Sequence, residues 1–184
     1  MFCKLVRDDI TLRLYEERNA EEMFAVIDAN RDYLRKFLPW LDKNQEPEDV
    51  RVFIRRSLEQ FAHGKGYNAG IWEGERFIGG VGMHAINEVN RNTSIGYWLA
   101  ADCQGRGIMT ACCLRVLRDC FEDYDLHRVW LEAASTNLPS RAVARRIGMV
   151  EEGVKRQSHW VSGRWLDMVQ YGILREEWEA QEHL

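Results

Sequence analysis

The segment Ile95-Gly96-Tyr97-Trp98-Leu99-Ala100-Ala101-Asp102-Cys103-Gln104-Gly105-Arg106-Gly107-Ile108-Met109-Thr110 carries the clearest chemical signal in the 184-residue chain. It reads as a strand, a short loop and a glycine-rich helix start. Such a turn presents backbone N–H groups to an anion, and the helix dipole adds partial positive charge at the same point, so the segment suits a phosphate. A dinucleotide fingerprint is excluded because Gly105-Arg106-Gly107-Ile108-Met109-Thr110 lacks the third glycine of G-x-G-x-x-G, and no G-x-x-x-x-G-K-[ST] occurs. Gln104-x-x-Gly107-x-Met109 remains as the phosphate candidate, against the bland alternative that Gly-Arg-Gly only caps a helix.

These residues need elements to hold them. Asn19 followed by Glu22 reads as a cap and its reciprocal partner for a helix over about 20–30, with Ala20, Met23, Phe24 and Ile27 at helical spacing. Residues 31–40 end in Pro39-Trp40 and read as an irregular loop. A second helix opens near Pro47, presents Val50, Phe53, Ile54, Leu58 and Phe61 on one face, and stops at Gly64 and Gly66. The period then changes, and residues 67–72, 77–84 and 93–99 read as an antiparallel meander. Cys113, Leu114, Leu117, Cys120, Phe121 and Tyr124 form the stripe of a helix starting just past Gly107.

A short strand over 129–134 follows, then a helix capped by Asn137, started by Pro139 and stopped by Gly148. Strands over 150–161 and 165–174 close around Ser162-Gly163, and the polar tail from Glu176 is expected to fray. The order is a strand, two helices, three strands, a helix, a strand, a helix and two strands. The strand-helix-strand unit over about 93–134 puts a parallel pair at the centre of a mainly antiparallel sheet, an α+β fold. Trp72, Trp98 and Trp130, in strand interiors, are expected in the core.

Apolar residues make up 46% and charged residues 29%, a globular balance, and the length suits one domain over residues 1–184. With 25 Lys and Arg against 29 Asp and Glu, the net charge of −4 lacks the positive field that drives nucleic-acid binding. No apolar run is long enough for a membrane span, and the start has no signal-peptide core, so a cytoplasmic protein is expected. The five cysteines lack a CxxC pair and read as free thiols; no metal-ligand spacing occurs, so no metal is expected.

Gln104-x-x-Gly107-x-Met109 resembles the [QR]-x-x-G-x-[GA] pyrophosphate loop of the GNAT N-acetyltransferases, and the element order is similar to that fold throughout. Asn137-Leu138-Pro139-Ser140, leading to Gly148-Met149, resembles the second signature of the same family. Ile95 to Leu99, Gln104 to Met109, Ser140 to Arg146 and Glu152-Gly153 look like the RimJ/RimL branch, whose members acetylate the N-termini of ribosomal proteins. The Leu38-Pro39-Trp40 stretch and the ending from Tyr171 to Trp178 fit that branch too.

The resemblance implies a sheet splayed at its central parallel pair, with acetyl-CoA in the cleft. Main-chain groups of Tyr97, Trp98 and Leu99 would bind the pantetheine arm, Gln104, Gly105, Arg106, Gly107, Ile108, Met109 and Thr110 the pyrophosphate, and Asn137 the arm from the facing side. Arg146 matches a position that is often basic and approaches the cofactor phosphates; a plain surface charge is the alternative. Many family members use a tyrosine seven residues after the motif asparagine as acid, and here that position is Ala144, which leaves Ser140 to stabilise the leaving sulfur. The position before Ile95, often glutamate in relatives, is Ser94; His159 is the expected base, with Glu132 and His84 as weaker candidates.

A missing strong base favours a weakly basic acceptor. Deprotonating an α-amine of pKa about 7.7–8.0 at pH 7 costs roughly 1 kcal/mol, against more than about 4 for a lysine near 10.4. The expected reaction is therefore direct attack of a protein N-terminal α-amine on acetyl-CoA. A small amine such as a polyamine or antibiotic is the alternative acceptor, and a non-catalytic acyl-CoA sensor the alternative class. The loops near Trp40, over 84–92 and over 160–165 are expected to line the acceptor side, and a homodimer is possible by the same resemblance.

Overall fold

The computed structural model describes residues 2–181, and among these eight strands form one sheet in the order β1-β2-β3-β4-β5-β6-β8-β7. The strands are β1 (Cys3–Arg7), β2 (Ile10–Leu14), β3 (Asn68–Glu73), β4 (Arg76–Met83), β5 (Asn92–Leu99), β6 (Arg128–Ala134), β7 (Val150–Val161) and β8 (Arg164–Leu174). Every neighbouring pair is antiparallel except β5 with β6. The meander, the parallel pair and the closing hairpin therefore match the sequence expectation. Ser162 and Gly163, at φ of 47° and 82°, make the tight turn of the last hairpin, as a two-residue connection with both central residues left-handed requires.

The helices are α1 (Ala20–Ala29), α2 (Arg31–Leu34), α3 (Pro47–Ala62), α4 (Ile108–Arg118), α5 (Leu138–Arg146) and α6 (Arg175–Gln181). Helix α4 packs its Cys112, Cys113, Val116 and Leu117 into the main core with Ile78, Val81 and Ile95 of the sheet. Helices α1 and α3 bury Met23, Ile27, Val50 and Ile54 in a second cluster with Trp72 and Phe77. Phe53 and Phe61, placed on the apolar stripe of α3 by spacing, stay at its exposed rim.

Several local expectations are corrected. The opening is a hairpin of two strands rather than one strand, turned at Asp8 with φ 44°, a conformation Asp tolerates better than most residues. Asn19 does not cap α1: its Oδ1 accepts from the Glu16 N–H and closes a box around the preceding short 3-10 turn, while Glu22 accepts from the Phe77 N–H. Residues 31–40 are not a plain loop, because α2 continues the chain direction after Asn30 and a 3-10 turn runs Pro39–Lys43, holding Leu34 and Leu41 in the core.

The tail does not fray from Glu176. It forms α6 as far as Gln181, since Trp178 is buried against Phe121 with stacked rings 5.8 Å apart. Residues beyond Gln181 lie outside the described part of the chain. Of the three strand tryptophans only Trp72 is a core residue; Trp98 is half-buried against Trp40 and Phe77, and Trp130 is half-buried with the Lys155 ammonium over its ring.

Past α4 a π-type turn (Asp119–Asp123) places the Asp119 carboxylate in the interior at 1% exposure. Lys4 at 2.8 Å, Arg115 at 2.9 Å and the Tyr67 hydroxyl at 2.5 Å satisfy it, the pairing a buried charge requires. All five cysteines are free. Burial pushes the Cys112 thiol up to about 12 and raises Cys113 and Cys120 as well, so these thiols stay protonated and inert. A thiol-labelling assay on the native protein at pH 8 is expected to modify Cys3 alone within minutes, and all five after denaturation.

Candidate active site

Strand β5 leaves its parallel partner early. Pairing with β6 covers only Asn92, Thr93 and Ser94, against Arg128, Val129 and Trp130, whereas the β4 side of β5 is paired through Leu99. From Ile95 onward the peptide groups of β5 that face β6 have no strand partner, so they must be met by water or by a ligand. The gap opens into a cleft of about 900 Å³ reached from both Gly96 on β5 and Glu132 on β6. Tyr97, Trp98, Leu99, Gln104, Gly105, Arg106, Gly107, Ile108, Met109, Thr110, Asn137, Ser140 and Arg146 all line it.

The loop between β5 and α4 has the geometry of an anion cradle. Gly105 and Gly107 both have φ of 73°, and Gly107 is the residue that precedes the first turn of α4. The first helical bond is donated by the Ala111 N–H to the Gly107 carbonyl, so the N–H groups of Ile108, Met109 and Thr110 lie ahead of it and aim out of the helix end. Arg146 reaches this point from α5, its Nε donating to Thr110 Oγ1 at 3.1 Å.

Residues distant in sequence fix the loop from behind. Arg7 on β1 donates to the Arg106 carbonyl at 2.5 Å, the Arg106 guanidinium is paired with Glu73, and Gln104 bonds the Tyr33 hydroxyl of α2. Asn30, between α1 and α2, accepts from the Ala101 N–H at 2.9 Å. The Arg106 contact holds the Glu73 carboxyl below its ordinary value. Arg7, Asn30 and Tyr33 were absent from the sequence reading, and no spacing signal could have supplied them, because each acts across the fold.

On the other wall, Asn137 caps α5 through its Oδ1, which accepts from the Ser140 N–H at 3.3 Å. That cap turns the Ser140 hydroxyl toward the gap, where Tyr97 Oη lies 3.0 Å from Ser140 Oγ and 3.2 Å from the Ser140 carbonyl. Burial raises the Tyr97 phenol well above its ordinary value, so it remains a neutral donor across the physiological range. Ala144, seven residues after Asn137, is fully buried in the core.

The base candidates separate. His159 sits on β7 opposite Leu166, and its ring nitrogen is 3.4 Å from Ser158 Oγ; it is not among the residues lining the cleft. Glu132 lines the cleft at 14% side-chain exposure but is paired with Lys155, whose ammonium also lies 5.6 Å from the Trp130 ring centre. His84, just past β4, lies against Ser94 and Gly96 with its Nδ1 2.7 Å from Ser94 Oγ; like His159 it is not among the residues lining the cleft, but Gly96 beneath its ring is. Among the described residues no group of three or more His, Cys, Asp or Glu side chains could hold a metal ion, and no helix is long and apolar enough to cross a membrane.

A mixed sheet split at its parallel pair, with a glycine-flanked helix start on one side of the split, defines the N-acyltransferase class of α+β proteins. Residues 9–150 match the family model described as "Acetyltransferase (GNAT) domain", and the chain belongs to that family. It is 36% identical over 183 residues to the Bacillus subtilis (strain 168) protein named "Putative ribosomal N-acetyltransferase YdaF", covering 99% of this chain and 100% of that one. Its fold matches RimL, a ribosomal alpha-N-protein acetyltransferase in complex with coenzyme A, at a TM-score of 0.90 with 24% identity over 94% of this chain and 98% of that one. It also matches the microcin self-immunity acetyltransferase MccE in complex with acetyl-CoA and AMP, at a TM-score of 0.85 with 28% identity over 92% and 94% of the two chains. The protein is an acetyltransferase whose relatives include enzymes named for ribosomal proteins.

Proposed function

We propose that the protein transfers the acetyl group of acetyl-CoA to a protein N-terminal α-amine by direct attack in a ternary complex. The observation that carries this reading is the parting of β5 from β6 beyond Ser94, which leaves peptide groups free beside the helix start at Gly107. The residues present fit the cosubstrate. The N–H groups of Ile108, Met109 and Thr110 with Arg146 suit its pyrophosphate, and the unpaired edge of Tyr97 to Leu99 suits the amide-bearing arm. Asn137, with Oδ1 engaged in the cap, keeps its Nδ2 to offer the arm.

Bound acetyl-CoA supplies the activated thioester. Backbone N–H groups of the parted strand polarise the carbonyl, and the Ser140 hydroxyl, backed by Tyr97, stabilises the departing sulfur. The half-buried Trp98 lines the gap and gives an acceptor a flat apolar surface.

A panel containing peptides with free N-termini, the same peptides N-blocked but bearing lysine, and polyamines tests the reading. Free N-termini are expected to give kcat/KM at least about tenfold above the lysine peptides at pH 7, following the roughly 3 kcal/mol difference in deprotonation cost. Coenzyme A thiol release is the readout. Preferential use of lysine or of polyamines would overturn the α-amine assignment. The likeness to an acetyltransferase crystallised with AMP favours one second reading, a small-molecule amine acceptor, and the polyamine arm of the panel addresses that class.

A further inference from the structure

We propose that His84 is the general base of the acetyl transfer, an inference that rests on the acetyltransferase reading above. The register of the sheet places it. In the parallel pair Ser94 stands level with Trp130, so Gly96 stands level with Glu132 on the same face, at the point where the strands have parted. His84 follows Met83, the partner of Ile95, and so stands level with Ser94 on that face. Its backbone is pinned there, because its N–H donates to the Ser94 carbonyl at 2.8 Å and its own carbonyl accepts from Thr93 Oγ1 at 2.7 Å.

The side chain is seated as firmly. Nδ1 lies 2.7 Å from Ser94 Oγ, and in the tautomer that donates this bond the Nε2 lone pair is free. The ring lies over Gly96: a Cβ added there would meet His84 Cε1 at 3.2 Å and Nε2 at 3.5 Å. Glycine at this position lets the imidazole rest against the β5 backbone without displacement, and that glycine lines the cleft. The free imidazole nitrogen therefore lies beside the Gly96 wall of the cleft, on the sheet face opposite the one that carries Tyr97.

The other candidates are less suited. The His159 ring nitrogen lies beside Ser158 on β7 and the Glu132 carboxylate is paired with Lys155, whereas His84 rests on Gly96 of the cleft wall. Around His84 the charged side chains of adjoining elements are matched, Glu132 with Lys155 across the gap and Glu88 with Lys65 beside the loop after β4. Burial against the strand lowers the imidazole from its ordinary value, and the hydrogen bond at Ser94 only partly reverses this. It is therefore neutral and ready to accept a proton at pH 7.

The step balances. The acceptor nitrogen bonds to the acetyl carbon, its N–H proton passes to His84 Nε2, the C–S bond breaks, and the thiolate takes up a proton through Ser140. Imidazolium and serine re-equilibrate with water, so the net products are the N-acetyl peptide and the free thiol. The test is kcat against pH, with a free N-terminus peptide at saturating acetyl-CoA, for the wild type, His84→Ala, His84→Gln and His159→Gln. Calorimetry with coenzyme A checks that each variant is folded and binds.

Wild-type kcat is expected to hold level through neutral pH and to fall only at a pH under the ordinary imidazole value of about 6.5, since the His84 imidazole is lowered from it. Both His84 variants are expected to lose roughly a hundredfold in kcat with coenzyme A affinity unchanged. Their profile should move toward the acceptor's own pKa of about 7.7–8.0. Added imidazole should restore activity to His84→Ala and not to His84→Gln, whose side chain fills the space. Wild-type kcat and pH profile in both His84 variants, absence of imidazole rescue, or the same loss in His159→Gln instead would each overturn the assignment. A wild type that binds coenzyme A and acetylates no amine overturns the acetyl-transfer reading together with this one.

Discussion

Gly107→Val is expected to reduce coenzyme A affinity by about a hundredfold or more while leaving the protein folded, measured by calorimetry beside a thermal melt. Gly107 has φ 73° and ψ 4° and sits at the hinge between the loop and α4. A β-branched residue in that conformation is a strong outlier, and holding it there costs of order 1–3 kcal/mol. The loop relieves that strain by rotating, which turns the N–H groups of Ile108, Met109 and Thr110 away from a common point. Each charge-assisted bond lost to the pyrophosphate is worth roughly 1.5–3 kcal/mol, and about 2.7 kcal/mol suffices for the hundredfold change.

The protein around Gly107 has room for a side chain, since an added Cβ would meet only Arg7 Nη1 at an ordinary 3.5 Å. The predicted loss is therefore one of backbone conformation rather than collision. Gly107→Asn separates the two, because asparagine tolerates the left-handed region. It should retain most of the affinity that valine loses. Equal losses in both variants would show that any side chain blocks the cradle.

Ser140→Ala is expected to lower kcat by about 10²-fold to 10³-fold with the KM for acetyl-CoA little changed, the range seen when one donor to a developing negative charge is removed. The fold should tolerate it. Tyr97 Oη keeps a partner in the residue-140 carbonyl at 3.2 Å, and the Asn137 cap accepts a backbone N–H that alanine retains. Tyr97→Phe should cost less, several-fold, because it removes only the support behind the hydroxyl. Steady-state thiol release with the free N-terminus peptide measures both. A Ser140→Ala protein with wild-type kcat would leave the sulfur to be stabilised by water alone.

Each of these predictions uses a residue visible in the sequence, for a common reason. Gly107 and Asn137 act through local backbone: a positive φ at a helix start and a side chain capping its own helix leave their marks within a few neighbouring positions. The same locality made the meander, α4 and the last hairpin legible, since alternation, the apolar stripe and Ser162-Gly163 are all short-range patterns. Where locality misled, a tertiary contact had taken over. Asn19 serves the turn before α1 rather than α1, and the polar tail is helical because Trp178 finds Phe121 more than fifty residues away.

The base shows the limit most plainly. Nothing in the spacing of His84, Ser94 and Gly96 announces their contact; the β4–β5 register brings the imidazole onto a glycine at the split, while His159 stands on β7 opposite Leu166. Arg7 and Tyr33 meet the phosphate loop by the same kind of long-range closure. The sequence by itself determined the family, the glycine turn before α4 and the place of the serine on the second wall, because backbone chemistry at a turn is written by adjacent residues. The tertiary structure alone decided which side chains face one another across the parted strands. Proton transfer depends on distances of a few ångströms between groups whose separation along the chain carries no information about their separation in space.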